Sequence, residues 1–302
     1  MDNKKPRIAF CFSWQARTLD QTYLLFQKNL FDAAKEQWFD YDIFCAVEDD
    51  EDIDKVGLLN PTRIERIKSS EVKKIISKKR GRFVEYEYAE KYGYSWRDGA
   101  VNVLQQFYKI CQSINLKNQH KSENNIIYDI IFKLRFDTPF PRKINFKNIL
   151  RTIKKSDKIV LCNRNRLIPS SKFLIKIEDF YFIMDDEVSD IYSDIFDNWD
   201  ICFRWCEIKY RKLNKVFERI SKWSKSYIWE VLMLPMNYVY AIFFPPFSAE
   251  IYAYNYFKNS GIKVDASTYI TIWLIRDKIK YKRINVRTHT KKWMFKKWNY
   301  EL

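Results

Sequence analysis

Glycine is scarce in this chain, with five in 302 residues, against eight prolines and two histidines. No G-x-G-x-x-G dinucleotide fingerprint, GxxxxGK phosphate loop or G-x-S-x-G nucleophile elbow occurs. His120 and His289 have no ligand partner at a usual metal spacing, which argues against a zinc centre and against histidine-based hydrolysis. Cys11, Cys45, Cys111, Cys162, Cys202 and Cys206 lie mostly inside apolar runs, without the spacing of a disulfide framework. They are expected as reduced core residues of a cytosolic protein. No run reads as a clean membrane-spanning helix, and the short apolar part of MDNKKPRIAFCFSW does not read as a secretory signal.

What is present is a core in excess. Hydrophobic residues at 47% and aromatics at 18% exclude a disordered chain. The net charge of +16 asks for acidic partners: nucleotide phosphates, nucleic acid or anionic lipid. Acids concentrate at 48–54 and 178–197, bases at 204–225 and 276–297.

The run RIAFCFS (7–13), a polar turn and the helical spacing of Leu24, Leu25, Lys28, Phe31 and Ala34 predict strand, loop, helix. DYDIFCAVEDDED (40–52) predicts a second strand, and TRIERIK with SSEVKKIISKK a third strand and a helix. Val103, Phe107, Ile110 and Ile114 mark one face of a helix that leads into the strand of NIIYDIIFKLRFDTPF (125–140). SDKIVLCN and IEDFYFIM predict two more strands, the latter followed by a helix that Asp185 or Asp186 caps. Residues 249–265 read as a helix closed by Gly261 at C′ and a short strand. This alternation predicts an α/β fold with a mainly parallel twisted sheet flanked by helices.

In such a sheet ligands collect beyond the carboxyl ends of the strands. Buried strands that end in SWQART, EDDED and RFDTP therefore carry their polar residues at the edge of a site. Arg17 and Arg135 suit a diphosphate, because a guanidinium binds two oxygens at once. Asp137 suits a hard divalent cation, Mn²⁺ or Mg²⁺, though Arg135 stands where a strict Asp-x-Asp pair would have its first acid. Ser13 and Lys133, on the same strands, are further donor-binding candidates, and Asp179 and Glu250 are candidate acceptor-side carboxylates. Each has a plainer alternative: an exposed arginine, an Asx turn before Thr-Pro, a solvated acid near a helix start.

The ordered set IAFCFSWQART, YDIIFKLRFDTPF, IEDFYFIMDDEVSDIY and AEIYAYNYFKNSGIKVD resembles the bacterial and viral surface-glycan glycosyltransferases of the WavE-like lipopolysaccharide-synthesis group, over roughly residues 7–265. The resemblance implies a GT-A-like fold that moves a sugar from a nucleotide-sugar donor to a growing surface glycan. It departs at Trp14 and Met184, where glycine is usual, and at Ala249, where proline is common. On this reading residues 1–200 form a nucleotide-sugar-binding α/β domain. Residues 201–302 form an acceptor-side helical part and a basic tail packed on the same domain.

The bases at 209–225 followed by the apolar run at 227–247 would also suit an anionic membrane surface, for a protein peripheral to the inner face of a membrane. The tail KKWMFKKWNY fits a membrane interface or single-stranded nucleic acid. A basic nucleic-acid-binding protein without catalysis is the alternative reading.

Overall fold

The computed structural model describes residues 4–50, 52–79, 96–164, 177–198, 253 and 256–265. Within them the chain builds β1 (Arg7–Trp14), α1 (Leu19–Phe26), a π-helical turn (Gln27–Phe31), α2 (Asp32–Glu36), β2 (Asp40–Glu48) and a 3₁₀ segment (Ile53–Leu59). It continues with β3 (Arg63–Ile67), α3 (Ser69–Lys79), α4 (Trp96–Asn124), β4 (Ile130–Arg135), α5 (Phe146–Lys155), β5 (Ile159–Arg164), β6 (Ile177–Met184), α6 (Asp186–Ser193) and β7 (Lys263–Asp265).

These strands form one seven-stranded sheet in the order β3-β2-β1-β4-β6-β5-β7. β1 pairs in parallel with β2 and β4 and is buried on both faces, which is why its sequence is apolar without alternation. The expectation of a mainly parallel sheet needs a correction at β6, which runs antiparallel to both neighbours, with Leu134 opposite Tyr181 and Leu161 opposite Ile183. A strand buried on both faces has the same apolar composition whichever way it points, so composition does not reveal direction. β7 comes from beyond residue 200 yet pairs with β5 in the same sheet.

Side chains alternate across the sheet and feed two cores. On one face Ala9, Cys11, Phe44, Ile131 and Phe182 pack against Phe107, Ile110 and Ile114 of α4 and Val188 and Tyr192 of α6. On the other, Phe10, Phe12 and Phe132 meet Phe26 and Phe31 of the α1–α2 layer and Phe146, Ile149 and Ile153 of α5. This second core is aromatic: Phe10 lies edge-on to Phe31 at 5.3 Å and Phe12 stacks on Phe136 at 5.3 Å. Helix α5 was not among the expected elements. Asn145 caps it by accepting from the Asn148 amide at 3.0 Å.

At the amino ends of the strands, buried Asp42 accepts from Arg7 Nε at 2.6 Å and from the Tyr128 hydroxyl at 2.8 Å, tying β1, β2 and the approach to β4 together. Burial, and then that bond, push the Tyr128 phenol well above its ordinary value. Asp185 is the cap of α6, accepting from the Val188 amide at 2.7 Å. Asp186 instead pairs with Lys117, which is fully buried, and with Lys121. Cys11, Cys45, Cys111 and Cys162 are free and buried, and burial pushes the Cys11 and Cys45 thiols up, so neither is a ready nucleophile. Cys202 and Cys206 lie outside the described residues, as do the segments 201–252 and 266–302.

Candidate functional site

The chain leaves β1 to one side for β2 and β3, then returns to place β4 on the other side. The sheet therefore reverses its winding between β1 and β4, and in an open α/β sheet the crevice beyond the carboxyl ends at such a point is where ligands bind. The register pairs Ser13 with Arg135, so the two polar strand ends meet there.

After β4 the chain turns at once: the Thr138 amide donates to the Arg135 carbonyl at 3.3 Å, and Phe136 is buried beneath. The Thr22 hydroxyl donates to the Phe136 carbonyl at 2.6 Å and fixes this turn against α1. The turn folds Asp137 back onto Arg135, whose Nε and Nη2 reach its two oxygens at 2.8 and 2.6 Å. Arg135 also stacks over Trp14, 5.0 Å from the ring centroid. Its guanidinium is thus oriented from two directions.

Trp14 closes β1 with φ of 113°, a conformation that costs a side-chain-bearing residue of order 1–3 kcal/mol. This is the position at which the resembled motif carries glycine, and the backbone takes a shape that glycine accepts without strain. The indole is held by Arg135 and by Lys109 of α4, whose ammonium lies 5.8 Å from the ring centroid.

Lys109 is buried and donates to Glu48, the last residue of β2, at 2.7 Å. Burial alone would raise the Glu48 carboxyl, but the bonds from Lys109, Ser69 and Gln15 hold it below its ordinary value. Burial does lift Asp50 above its usual range, with Glu48 and Asp52 adding to the effect and the Asp52 amide opposing it.

Three buried polar atoms on β1, the loop after it and α4, Ser13 Oγ, Thr18 Oγ1 and Gln105 Nε2, have no hydrogen-bond partner among the described residues. Such atoms cost about 1–3 kcal/mol each when unpaired, and Ser13 Oγ, at the carboxyl end of β1 opposite Arg135, is the one placed to meet a polar molecule in the crevice.

The structure brings Ser13, Arg135 and Asp137 together. Arg17 is on the exposed loop after β1, hydrogen-bonded to Gln15. Lys133 stands one pleat below Arg135 with no exposure, its ammonium 5.0 Å from the Phe182 ring centroid, beneath the site rather than on its open surface. Asp179 lies on β6 beyond Tyr181, the partner of Leu134, so the antiparallel strand carries it to the crevice end of the sheet. Glu250 lies outside the described residues.

Both Asp137 oxygens accept from Arg135, and among the described residues no group of three or more His, Cys, Asp or Glu is placed to hold a metal ion.

Glu48, Lys109, Trp14 and Gln105 were not among the candidates read from sequence. Glu48 carried a weak signal as the first acid of EDDED, and Lys109 as a charge inside the apolar stripe of FYKICQ. No protein-family model matches the chain, and no curated protein matches it.

Proposed function

We propose that this chain is a glycosyltransferase of GT-A type that holds a nucleotide-sugar donor in the β1/β4 crevice and transfers the sugar to a hydroxyl of a surface glycan. One observation carries the reading most: two motifs distant in sequence, SWQART and RFDTP, flank the topological switch point of an α/β sheet, and their polar residues converge there.

In the proposed reaction the acceptor oxygen bonds to the anomeric carbon as the bond from that carbon to the nucleoside diphosphate breaks. Negative charge develops on the departing diphosphate. Arg135, pre-oriented by Asp137 and Trp14, stabilises it, with Arg17 on the adjoining loop. The acceptor proton passes to a carboxylate, Asp179 or Glu250. The proposed setting is cytoplasmic and peripheral to a membrane; among the described residues no helix is long and apolar enough to cross one.

The test is thermal stability against a panel of nucleotides and nucleotide sugars, with and without Mn²⁺. A ligand at a hundred times its Kd adds about 2.7 kcal/mol. A shift confined to one nucleotide family supports the reading, and the Mn²⁺ arm shows whether a cation joins the site. A folded protein silent across the whole panel, yet shifted by single-stranded nucleic acid, would move the function to the alternative class.

A further inference from the structure

We propose that the outer face of α5, with Trp38 beside it, docks on an anionic lipid surface. From Arg142 to Lys155 the chain carries six bases and no acid. The helix buries Phe146, Ile149 and Ile153 in the aromatic core, which fixes its rotation. Lys147, Arg151, Lys154 and Lys155 then fall within about 100° of arc on the side away from the core, at about 100° per residue. All four are exposed. Lys143 is paired with exposed Glu36 at 2.6 Å and Lys154 is 3.7 Å from Asp129, while no described carboxylate pairs with Lys147, Arg151 or Lys155.

Trp38 joins this face through its neighbours. Gln37 donates to the Ile144 carbonyl at 2.6 Å and accepts from the Lys147 amide at 3.2 Å, and the Phe39 and Phe146 rings are 5.9 Å apart. Trp38 itself is 49% exposed, with Lys5 over its ring at 5.9 Å. Lys5 is also 3.7 Å from Asp40, so the unpaired bases of this face are those of α5. An exposed indole beside such bases is the pairing that seats a surface at the head-group level, bases against lipid phosphates and the ring at the boundary below them.

A lipid surface fits better than nucleic acid. Among the described residues the cations of α5 have no aromatic between them on which a base could stack, and the exposed Trp38 ring beside them already carries Lys5 on its face. α5 and Trp38 also lie toward the amino ends of β1, β2 and β4, remote from the crevice, so docking leaves the crevice open.

The experiment is co-sedimentation of the full chain with vesicles of phosphatidylcholine alone or mixed with phosphatidylglycerol, at low and high salt. Three proteins are compared. They are the wild type, the α5 variant Lys147→Glu/Arg151→Glu/Lys155→Glu, and a control, Lys68→Glu/Lys73→Glu/Lys74→Glu, which removes the same charge from α3 and its leading turn on the opposite sheet face. The wild type is expected to pellet only with anionic vesicles and only at low salt. At about 1 kcal/mol per base, the α5 variant should lose about 100-fold or more in partitioning while the control keeps most of it. Circular dichroism and thermal melts establish that all three are folded. The proposal falls if the wild type ignores anionic vesicles, if the α5 variant partitions like the wild type, or if both variants weaken alike, which would make net charge the cause. A labelled oligo-dT that binds the wild type but not the α5 variant, with no vesicle binding, would assign the face to nucleic acid.

Discussion

Replacing Lys109 by methionine would remove the cation under the crevice wall while keeping much of its apolar volume. The Lys109 side chain is 3% exposed and its partner Glu48 is 17% exposed, with 2.7 Å between ammonium and carboxylate. Removing one partner of a buried pair typically costs about 3–5 kcal/mol. Glu48 keeps Ser69 and Gln15 and some contact with water, so the lower end applies, about 3 kcal/mol at about pH 7. The pH dependence follows from the same geometry. In the wild type the Glu48 carboxyl is held below its ordinary value. Its contribution is therefore in place above about pH 4.5 and is lost as the pH falls through the lower folded value. Without Lys109 the burial remains and the carboxyl moves above its ordinary value, so a penalty exists at neutral pH and is relieved as acid protonates the group. The gap between wild type and variant should therefore shrink from about 3 kcal/mol near neutrality toward about 1 kcal/mol near pH 4. Urea unfolding followed by far-ultraviolet circular dichroism at several pH values measures it. A gap independent of pH, or below about 0.5 kcal/mol throughout, would refute the electrostatic account of this wall.

Three further outcomes are expected. Asp42→Ala should destabilise by about 3 kcal/mol, since it strands a buried phenol and a half-buried guanidinium, and Tyr128→Phe by only about 1 kcal/mol, as read by urea midpoints. Arg135→Ala should weaken binding of the cognate nucleoside diphosphate by about 10-fold to 100-fold in calorimetry, and Arg135→Lys should recover little, because an ammonium cannot fork between Asp137 and the ligand. Trp14→Gly should change stability by less than about 1 kcal/mol, the strain relieved at φ of 113° offsetting the lost stacking with Arg135 and Lys109. A melting temperature that collapses in the glycine variant would show that the indole, not the backbone shape, holds this corner.

Much of the frame was legible because its signals are local. Seven expected strands and the α4 stripe appear as elements, and Gly261 takes the positive φ of 72° that its C′ position asks for. The polar ends of β1, β2 and β4 were readable for the same reason: a strand buried on both faces carries charge only where it leaves the core. Helix α5 could have been found from its Asn145 cap and the spacing of Phe146, Ile149 and Ile153. The cage around Arg135 could not. Trp14 reaches it from the end of β1, while Lys109 of α4 meets the same indole and continues to Glu48 of β2, and nothing in their local sequence specifies that meeting.

The sequence by itself determined the α/β alternation, the excess of base over acid and the residues free to leave the core, since these depend on composition and on periods of two and 3.6 residues. Tertiary structure alone decided the direction of β6, the burial of Lys117 and Lys133, the pairing of both Asp137 oxygens with Arg135, and the rotation of α5 that turns its bases outward. Those outcomes depend on how separate segments pack, and packing energy is a property of pairs of elements, not of any one stretch of chain.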